Sequence, residues 1–213
     1  MVEAGVERAR DPADRRVTAA EPRHAATLAA IHRGALPDDF LPSLGLDFLE
    51  RVYYPATFRS SHGANLIVSD AGRPVGFVTI AHDSPAFTRD VVTSQWAWLA
   101  YFAARAAVRH PAHLQLSLQV VRSALFGRPD PLPGEIVLIA VDAAYRGRGF
   151  GQALVTAALG YLTRHGVGQC RTKTLAANDS VIAMYAGLGW HLRDRFTLIG
   201  RDYVTMVSPD PDA

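Results

Sequence analysis

The residues of this chain best suited to chemistry lie in one short run, Arg146, Gly147, Arg148, Gly149, Phe150, Gly151 and Gln152. Two arginines alternate with glycines, directly after the branched apolar run Glu135–Val141 and directly before apolar residues at helical spacing: Val155, Ala158, Leu159 and Leu162 stand at i, i+3, i+4 and i+7. A strand therefore feeds a basic glycine loop that opens a helix. The first turn of a helix carries N–H groups without intrahelical partners and the positive end of the macrodipole. Glycine lets an anion approach the backbone, and arginine adds fork-shaped donors. The chemistry implied is the holding of a pyrophosphate. The plainer alternative is an ordinary strand-to-helix turn with solvated arginines.

The type of cradle can be narrowed. A Walker loop requires G-x-x-x-x-G-K-[ST], and the only lysine in the chain is Lys173. A dinucleotide fingerprint G-x-G-x-x-G fails in both frames, because Gln152 or Leu154 stands where the last glycine belongs. The pattern that fits is Arg146-x-x-Gly149-x-Gly151.

The elements that must position this loop follow in chain order. Residues 1–15 read as a disordered lead without an apolar core of signal-peptide length. Arg16–Ala20 is a short strand. Pro22 sits in the first turn of a helix whose apolar side is Ala25, Leu28, Ala29 and Ile31, closed by Gly34 and Pro37. A second helix is expected over Leu46–Phe58, with Pro55 ending or kinking it. Asn65–Ser69 and Val75–Ala81 form a hairpin around Asp70-Ala71-Gly72-Arg73, and Gly76 marks a bulge or a close approach. Residues 83–133 read as an insertion: Ser84–Thr93 as loop, then helices over 95–109 and 113–126, with Trp96, Trp98, Tyr101 and Phe102 as core, substrate wall or dimer surface. After the loop and its helix come a strand (Cys170–Ala176), a helix led by Asn178-Asp179-Ser180 with Val181, Met184, Tyr185 and Leu188 as its stripe, and a closing strand pair.

Composition sets further bounds. A chain of 213 residues with 49% hydrophobic content suits one domain, 16–207, followed by a tail at 208–213. A net charge of +2, with arginines spread along the chain, implies no nucleic-acid partner. One cysteine, Cys170, excludes an intrachain disulfide and a multi-cysteine metal site. The histidines show no metal-ligand spacing, so no metal is expected. No 18-residue apolar run suggests a membrane span. A cytoplasmic protein is expected, with the insertion or the last strands as the surface for a homodimer.

Two linked segments, Arg146-x-x-Gly149-x-Gly151 and Asn178-x6-Tyr185-x2-Leu188-Gly189-Trp190, together with the order of elements, resemble the GCN5-related N-acetyltransferases. The resemblance covers about 160 residues, and the 83–133 insertion departs from it. It implies an α/β (α+β) fold: a mixed, mostly antiparallel sheet flanked by helices, with central strands splayed to admit a thioester. It also implies acetyl-CoA as co-substrate. The backbone of Ile139, Ala140 and Val141 would pair with the pantetheine arm; Arg146, Gly147, Arg148, Gly149, Phe150, Gly151 and Gln152 would hold the pyrophosphate; Asn178 would contact the cofactor.

The implied reaction is direct acetyl transfer to an amine. An alkyl amine with a pKa of about 10 is neutral only about once in a thousand at pH 7, a deficit of about 4 kcal/mol, so a base is useful. Glu135, in a run similar to the E-I-V of histone-acetylating members, is the candidate; the alternative is a strand-end carboxylate in a salt bridge. His82 and Asp83 are secondary candidates on the substrate side. Tyr185 matches the family's proton donor to the leaving thiolate, with a plain core role as its alternative. A backbone N–H near the strand break, Val141, would meet the acyl oxygen. The acceptor is expected to be a small-molecule amine (amino sugar, amino acid or antibiotic-like). A protein N-terminus or lysine, and a non-catalytic acyl-CoA-binding or interaction module, are the alternatives.

Overall fold

The computed structural model describes residues 16–94, 130–198 and 200–210. The lead, the two insertion helices and the aromatic group at 96–102 lie outside the described residues. Among those described, seven strands form one sheet: β1 (Arg16–Ala19), β2 (Gly63–Asp70), β3 (Arg73–Ala81), β4 (Gly134–Val141), β5 (Cys170–Leu175), β6 (His191–Leu198) and β7 (Arg201–Val207). Their order is β1-β2-β3-β4-β5-β7-β6. Every neighbouring pair is antiparallel except β4 with β5. The long helix Phe150–Arg164 connects that parallel pair, as a parallel pair requires.

Helices cover both faces: α1 (Ala25–Ala35), α2 (Phe40–Ser43), α3 (Leu46–Phe48), α4 (Tyr54–Arg59), α5 (Ser84–Ser94), α6 (Phe150–Arg164) and α7 (Asp179–Gly187). On one face Leu154, Val155, Ala158 and Leu162 of α6 and Tyr185 of α7 pack on Val78, Ile80, Ile136 and Val204. Each fully buried Leu or Val there stabilises the fold by about 1.5–3 kcal/mol. On the other face α1 to α4 pack Leu28, Phe48, Leu49, Val52 and Tyr54 against Ile67, Phe77 and Ala140.

Local chemistry explains three details. The β2–β3 turn has positive φ at both central residues, Ala71 (49°) and Gly72 (79°), the backbone that a right-twisted two-residue hairpin needs. Gly76 meets both expectations for it: the β2–β3 register shifts beside Val68, and a Cβ at Gly76 would stand 2.9 Å from the Ala140 carbonyl oxygen. Pro55 neither ends nor breaks its helix. It lacks the N–H that would bond Arg51, and the chain widens into a π turn over Leu49–Tyr53, in which the Tyr54 N–H reaches back to the Leu49 carbonyl before α4 resumes.

One expectation is corrected. Ser84–Thr93 is helical, not loop. The Asp83 carboxylate accepts the Ala86 N–H at 3.0 Å, capping α5. Pro85 falls in the first turn, where proline is tolerated. Phe87 is buried, and a Cβ on Gly63 would lie 2.6 Å from its ring.

Candidate active site

The sheet opens at its centre. Strands β4 and β5 pair at only three positions, Gly134↔Cys170, Glu135↔Arg171 and Ile136↔Thr172. Beyond them β5 stays with β7 through Leu175↔Tyr203, and β4 stays with β3 through Val141↔Gly76. The edge of β4 that faces β5 is therefore unmatched over residues 137–141. A bulge drives the divergence: Thr79 pairs with Leu138 and Ile80 with Ile136, so Val137 is the extra residue. Ile136 packs toward α6, and past the bulge Ile139 and Val141 do so, while Leu138 and Ala140 turn to the α1 face. The break falls at Val137, four residues before the expected Val141. An unpaired strand edge of this kind presents alternating donors and acceptors to an extended partner.

At the open end of the split lies the glycine loop. Asp142 caps a short 3-10 turn over Ala143–Tyr145 by accepting the Ala144 N–H at 3.0 Å. Gly147 and Gly149 have φ of 73° and 82°, conformations that residues other than glycine rarely adopt, and nothing lies within 4 Å of a Cβ built at Gly147. Gly149 is the N-cap of α6, and the Ala153 N–H closes on its carbonyl at 3.1 Å. Gly151 serves packing instead: a Cβ there would stand 3.0 Å from Sδ of Met184 on α7. Arg146 holds the loop. Its Nε donates to the Val141 carbonyl (3.2 Å) and its Nη2 to the Ala35 carbonyl at the end of α1 (2.8 Å). Arg148 is exposed, with its guanidinium 5.5 Å from the Tyr145 ring centre. Gln152 is exposed in the first turn of α6. Asn178 ends the β5 segment as the N-cap of α7, and its Oδ1 accepts the Ser180 hydroxyl at 3.2 Å.

At the apex of the split sits Tyr185, 1% exposed. Its hydroxyl lies beside Thr172 without closing a hydrogen bond of ordinary geometry, and Thr172 Oγ1 itself donates to the Ile136 carbonyl at 3.0 Å. Burial pushes the phenol well above its usual pKa of 10, so it stays protonated. The Trp190 ring packs 4.7 Å away, brought round by the Gly189 turn at the end of α7 (φ 81°). The unmatched edge, the glycine loop at a helix start and an unpartnered phenol at the apex together fit an extended phosphorylated thioester.

Glu135 precedes the bulge, on the α1 face. Its Oε2 accepts from the Ser84 hydroxyl and from Arg171 Nη2 (2.7 Å); its Oε1 is 3.3 Å from Lys173 Nζ. Burial alone would raise its pKa, but the charges of Lys173 and Arg171, with the hydrogen bonds from Ser84 and Arg171, outweigh it and hold the carboxyl below its usual range. The salt bridge weighed against a base is therefore present. It does not exclude a base, since a base must be ionised. Arg171 continues the network to the Leu132 carbonyl (2.7 Å) and Asp130 (2.9 Å), and Asp130 takes Arg193 with both oxygens (3.0 and 2.7 Å).

The structure does not bring His82 to the split. Its Nδ1 is 3.1 Å from the Tyr161 hydroxyl, and its ring stacks on His165 at 4.6 Å, near the C-terminal end of α6. Asp83 is the cap of α5. Sequence reasoning passed over Ser84, Arg171, Thr172 and Lys173. Arg171 and Lys173 alternate on one face of β5, a period-2 signal that could have put both beside Glu135 once the strands were paired. Cys170 is buried, and burial pushes its thiol up to about 12, which suits an inert core residue. Among the described residues no group of three or more histidine, cysteine or acidic side chains is disposed to hold a metal, and no helix is long and apolar enough to cross a membrane.

Across the mouth of the split, on the α1 face, the β6–β7 turn meets the α1–α2 loop. Arg201 Nη1 donates to the Asp38 carbonyl at 2.9 Å and stands 3.9 Å from Asp39 Oδ1.

A strand split behind a glycine loop at a helix start is what the resemblance to the N-acetyltransferases implies. Residues 25–190 match the Acetyltransferase (GNAT) family, and the chain belongs to that family as an acyltransferase enzyme. A mycothiol acetyltransferase from Nocardioides sp. is 39% identical over 57 residues, which span 27% of this chain and 19% of that relative's length. A ribosomal-protein-alanine N-acetyltransferase from Brucella melitensis superposes with a TM-score of 0.59 at 16% identity, over 91% of this chain and 98% of that one. The Salmonella typhimurium protein yncA, solved with its cofactor acetyl-CoA, superposes with a TM-score of 0.57 at 12% identity, over 91% and 92%. Both structural likenesses are of fold.

Proposed function

We propose that the chain moves an acetyl group from acetyl-CoA to the primary amine of a small molecule by direct attack, without an acyl-enzyme. The donor would lie along the unmatched edge of β4, through Ile139, Ala140 and Val141. Its pyrophosphate would meet the first turn of α6 and the loop Arg146–Gly151, with Arg148 and Gln152 as the exposed polar side chains and Asn178 opposite. Tyr185 supplies a hydrogen bond and a proton to the leaving thiolate. Glu135 takes the proton of the amine, directly or through water. The amide that meets the acyl oxygen belongs near the bulge, among Val137–Ile139, because the strands part there.

The observation that carries the small acceptor is the contact of Arg201 with Asp38 and Asp39, which bridges the mouth of the split on the side of Glu135. A bridged mouth suits a compact amine better than an extended peptide. The likeness to a relative named for mycothiol points the same way, over a fifth of that relative's length. The fold likeness to a ribosomal-protein-alanine acetyltransferase favours a protein N-terminus as the second reading.

Melting curves with acetyl-CoA, CoA and longer acyl-CoAs test the donor. A ligand of the native state at a hundredfold excess over its Kd stabilises by about 2.7 kcal/mol. Thiol release with a panel of amines and N-terminal peptides then separates the acceptors. No shift with any acyl-CoA would sink the donor site, and turnover of peptides alone would replace the small acceptor by the protein one.

A further inference from the structure

The outer oxygen of Glu135 is already covered by an amine. Lys173 Nζ stands 3.3 Å from Oε1, on a side chain 44% exposed. Lys173 is the only lysine in the chain. It follows Thr172, the last residue of β5 that pairs with β4, so it occupies the first position of the split on that strand. It shares the face of Arg171 and Glu135, as period-2 alternation requires. Stability does not demand a lysine here, because Arg171 already pairs with the buried oxygen of Glu135 and a half-exposed ion pair contributes about 0–1 kcal/mol. The group beside the proposed base is thus a primary alkyl ammonium, the functional group of the proposed acceptor.

We infer that Lys173 is an acetyl acceptor of its own active site and that the enzyme acetylates itself there. This rests on the acetyl-CoA reading above. The ammonium gives one proton to Glu135 Oε1. The neutral Nζ attacks the thioester carbonyl carbon, forming a C–N bond as the C–S bond breaks. The second proton from nitrogen ends on the departing CoA thiolate, relayed through Tyr185, and Glu135 returns its proton to water. The balance is one acetyl-CoA and one lysine ammonium giving one acetyl-lysine, one CoA thiol and one proton. The product amide carries no charge, so Glu135 Oε1 loses its cation and becomes accessible to an external amine.

A sole lysine makes the test clean. The full chain is incubated with acetyl-CoA and no acceptor, the modified residue is located by peptide mass, and melting curves are recorded on the same mixture. The expected result is one acetyl group on Lys173, gained at a rate that does not change on dilution, absent from Lys173→Arg and slowed at least about tenfold in Glu135→Gln. A chain unfolded in urea should not gain it. A raised melting temperature with Lys173 unmodified overturns the inference and leaves the donor site standing. Equal modification of the unfolded chain overturns it as well, since simple chemical reactivity would then suffice. Neither a melting shift nor a mass gain removes the donor site and the inference together.

Discussion

Two residues illustrate how environment assigns roles that residue type leaves open. The Tyr185 hydroxyl is buried without a well-formed partner, an arrangement that contributes nothing to folding and is expected to lose a little stability. Replacing Tyr185 with Phe should therefore leave the melting temperature unchanged or slightly raised, while kcat falls about a hundredfold, the usual scale for a general acid. A matching loss of stability and activity would mean that the phenol is only a core residue. The Arg171 guanidinium is the opposite case, engaged by Glu135, Asp130 and the Leu132 carbonyl in a buried setting. Arg171→Met takes the buried cation from Glu135, which keeps Ser84 and Lys173, and one of two arginines from Asp130, and should destabilise by about 1–3 kcal/mol in urea unfolding. A smaller loss would show that water reaches Glu135.

Among the elements, the glycine loop carries backbone strain that only glycine tolerates. Gly149 sits at φ 82° as the N-cap of α6. Gly149→Ala should lose about 1–2 kcal/mol of stability, the left-handed penalty for a residue with a Cβ. If the loop relaxes to avoid that strain, acetyl-CoA binding should weaken about tenfold in calorimetry, equivalent to about 1.4 kcal/mol. Unchanged affinity would detach the loop from the cofactor. Arg146 joins this loop to the end of α1 through backbone carbonyls only. Its place at the head of the fingerprint is thus explained by loop architecture as well as by charge.

At the scale of the whole molecule, stability should depend on acidity through a histidine that the proposed chemistry does not use. His32 is buried with its Nδ1 3.0 Å from the Tyr54 hydroxyl, and burial pushes its pKa from an ordinary 6.5 down to about 4. Between those values the unfolded chain binds the proton and the folded chain does not, so stability rises with pH across that window and falls as pH drops through it. The full loss from this group is about 3 kcal/mol on going below pH 4. Urea midpoints from pH 7 to pH 4 should trace it, and His32→Phe should flatten that part of the curve. Glu135, held below its usual range, adds a loss of its own as pH falls from the ordinary carboxylate range toward its lower folded value, complete once the folded form protonates.

Local order alone determined much of this protein. The strand–loop–helix unit, the hairpin turn and the α7 stripe were legible because spacing, turn chemistry and branched runs act within a few residues; the mixed sheet came from the family resemblance alone. Hydrophobic periodicity made α6 plain, whereas α5 was hidden: few of its residues are apolar, and its cap, Asp83, is recognisable only once the helix is seen. Tertiary structure decided what pairwise distance decides. Whether Glu135 stands free or paired depends on which strand lies beside β4, and that strand brings Arg171 and Lys173 from more than thirty residues away. The split opens at Val137 because β3, not β4 itself, sets the register that leaves one residue over. The same long-range packing took His82 to the α6 face and carried Arg201 across the mouth of the site. These contacts join segments far apart in the chain, whose closure only the packed core stabilises.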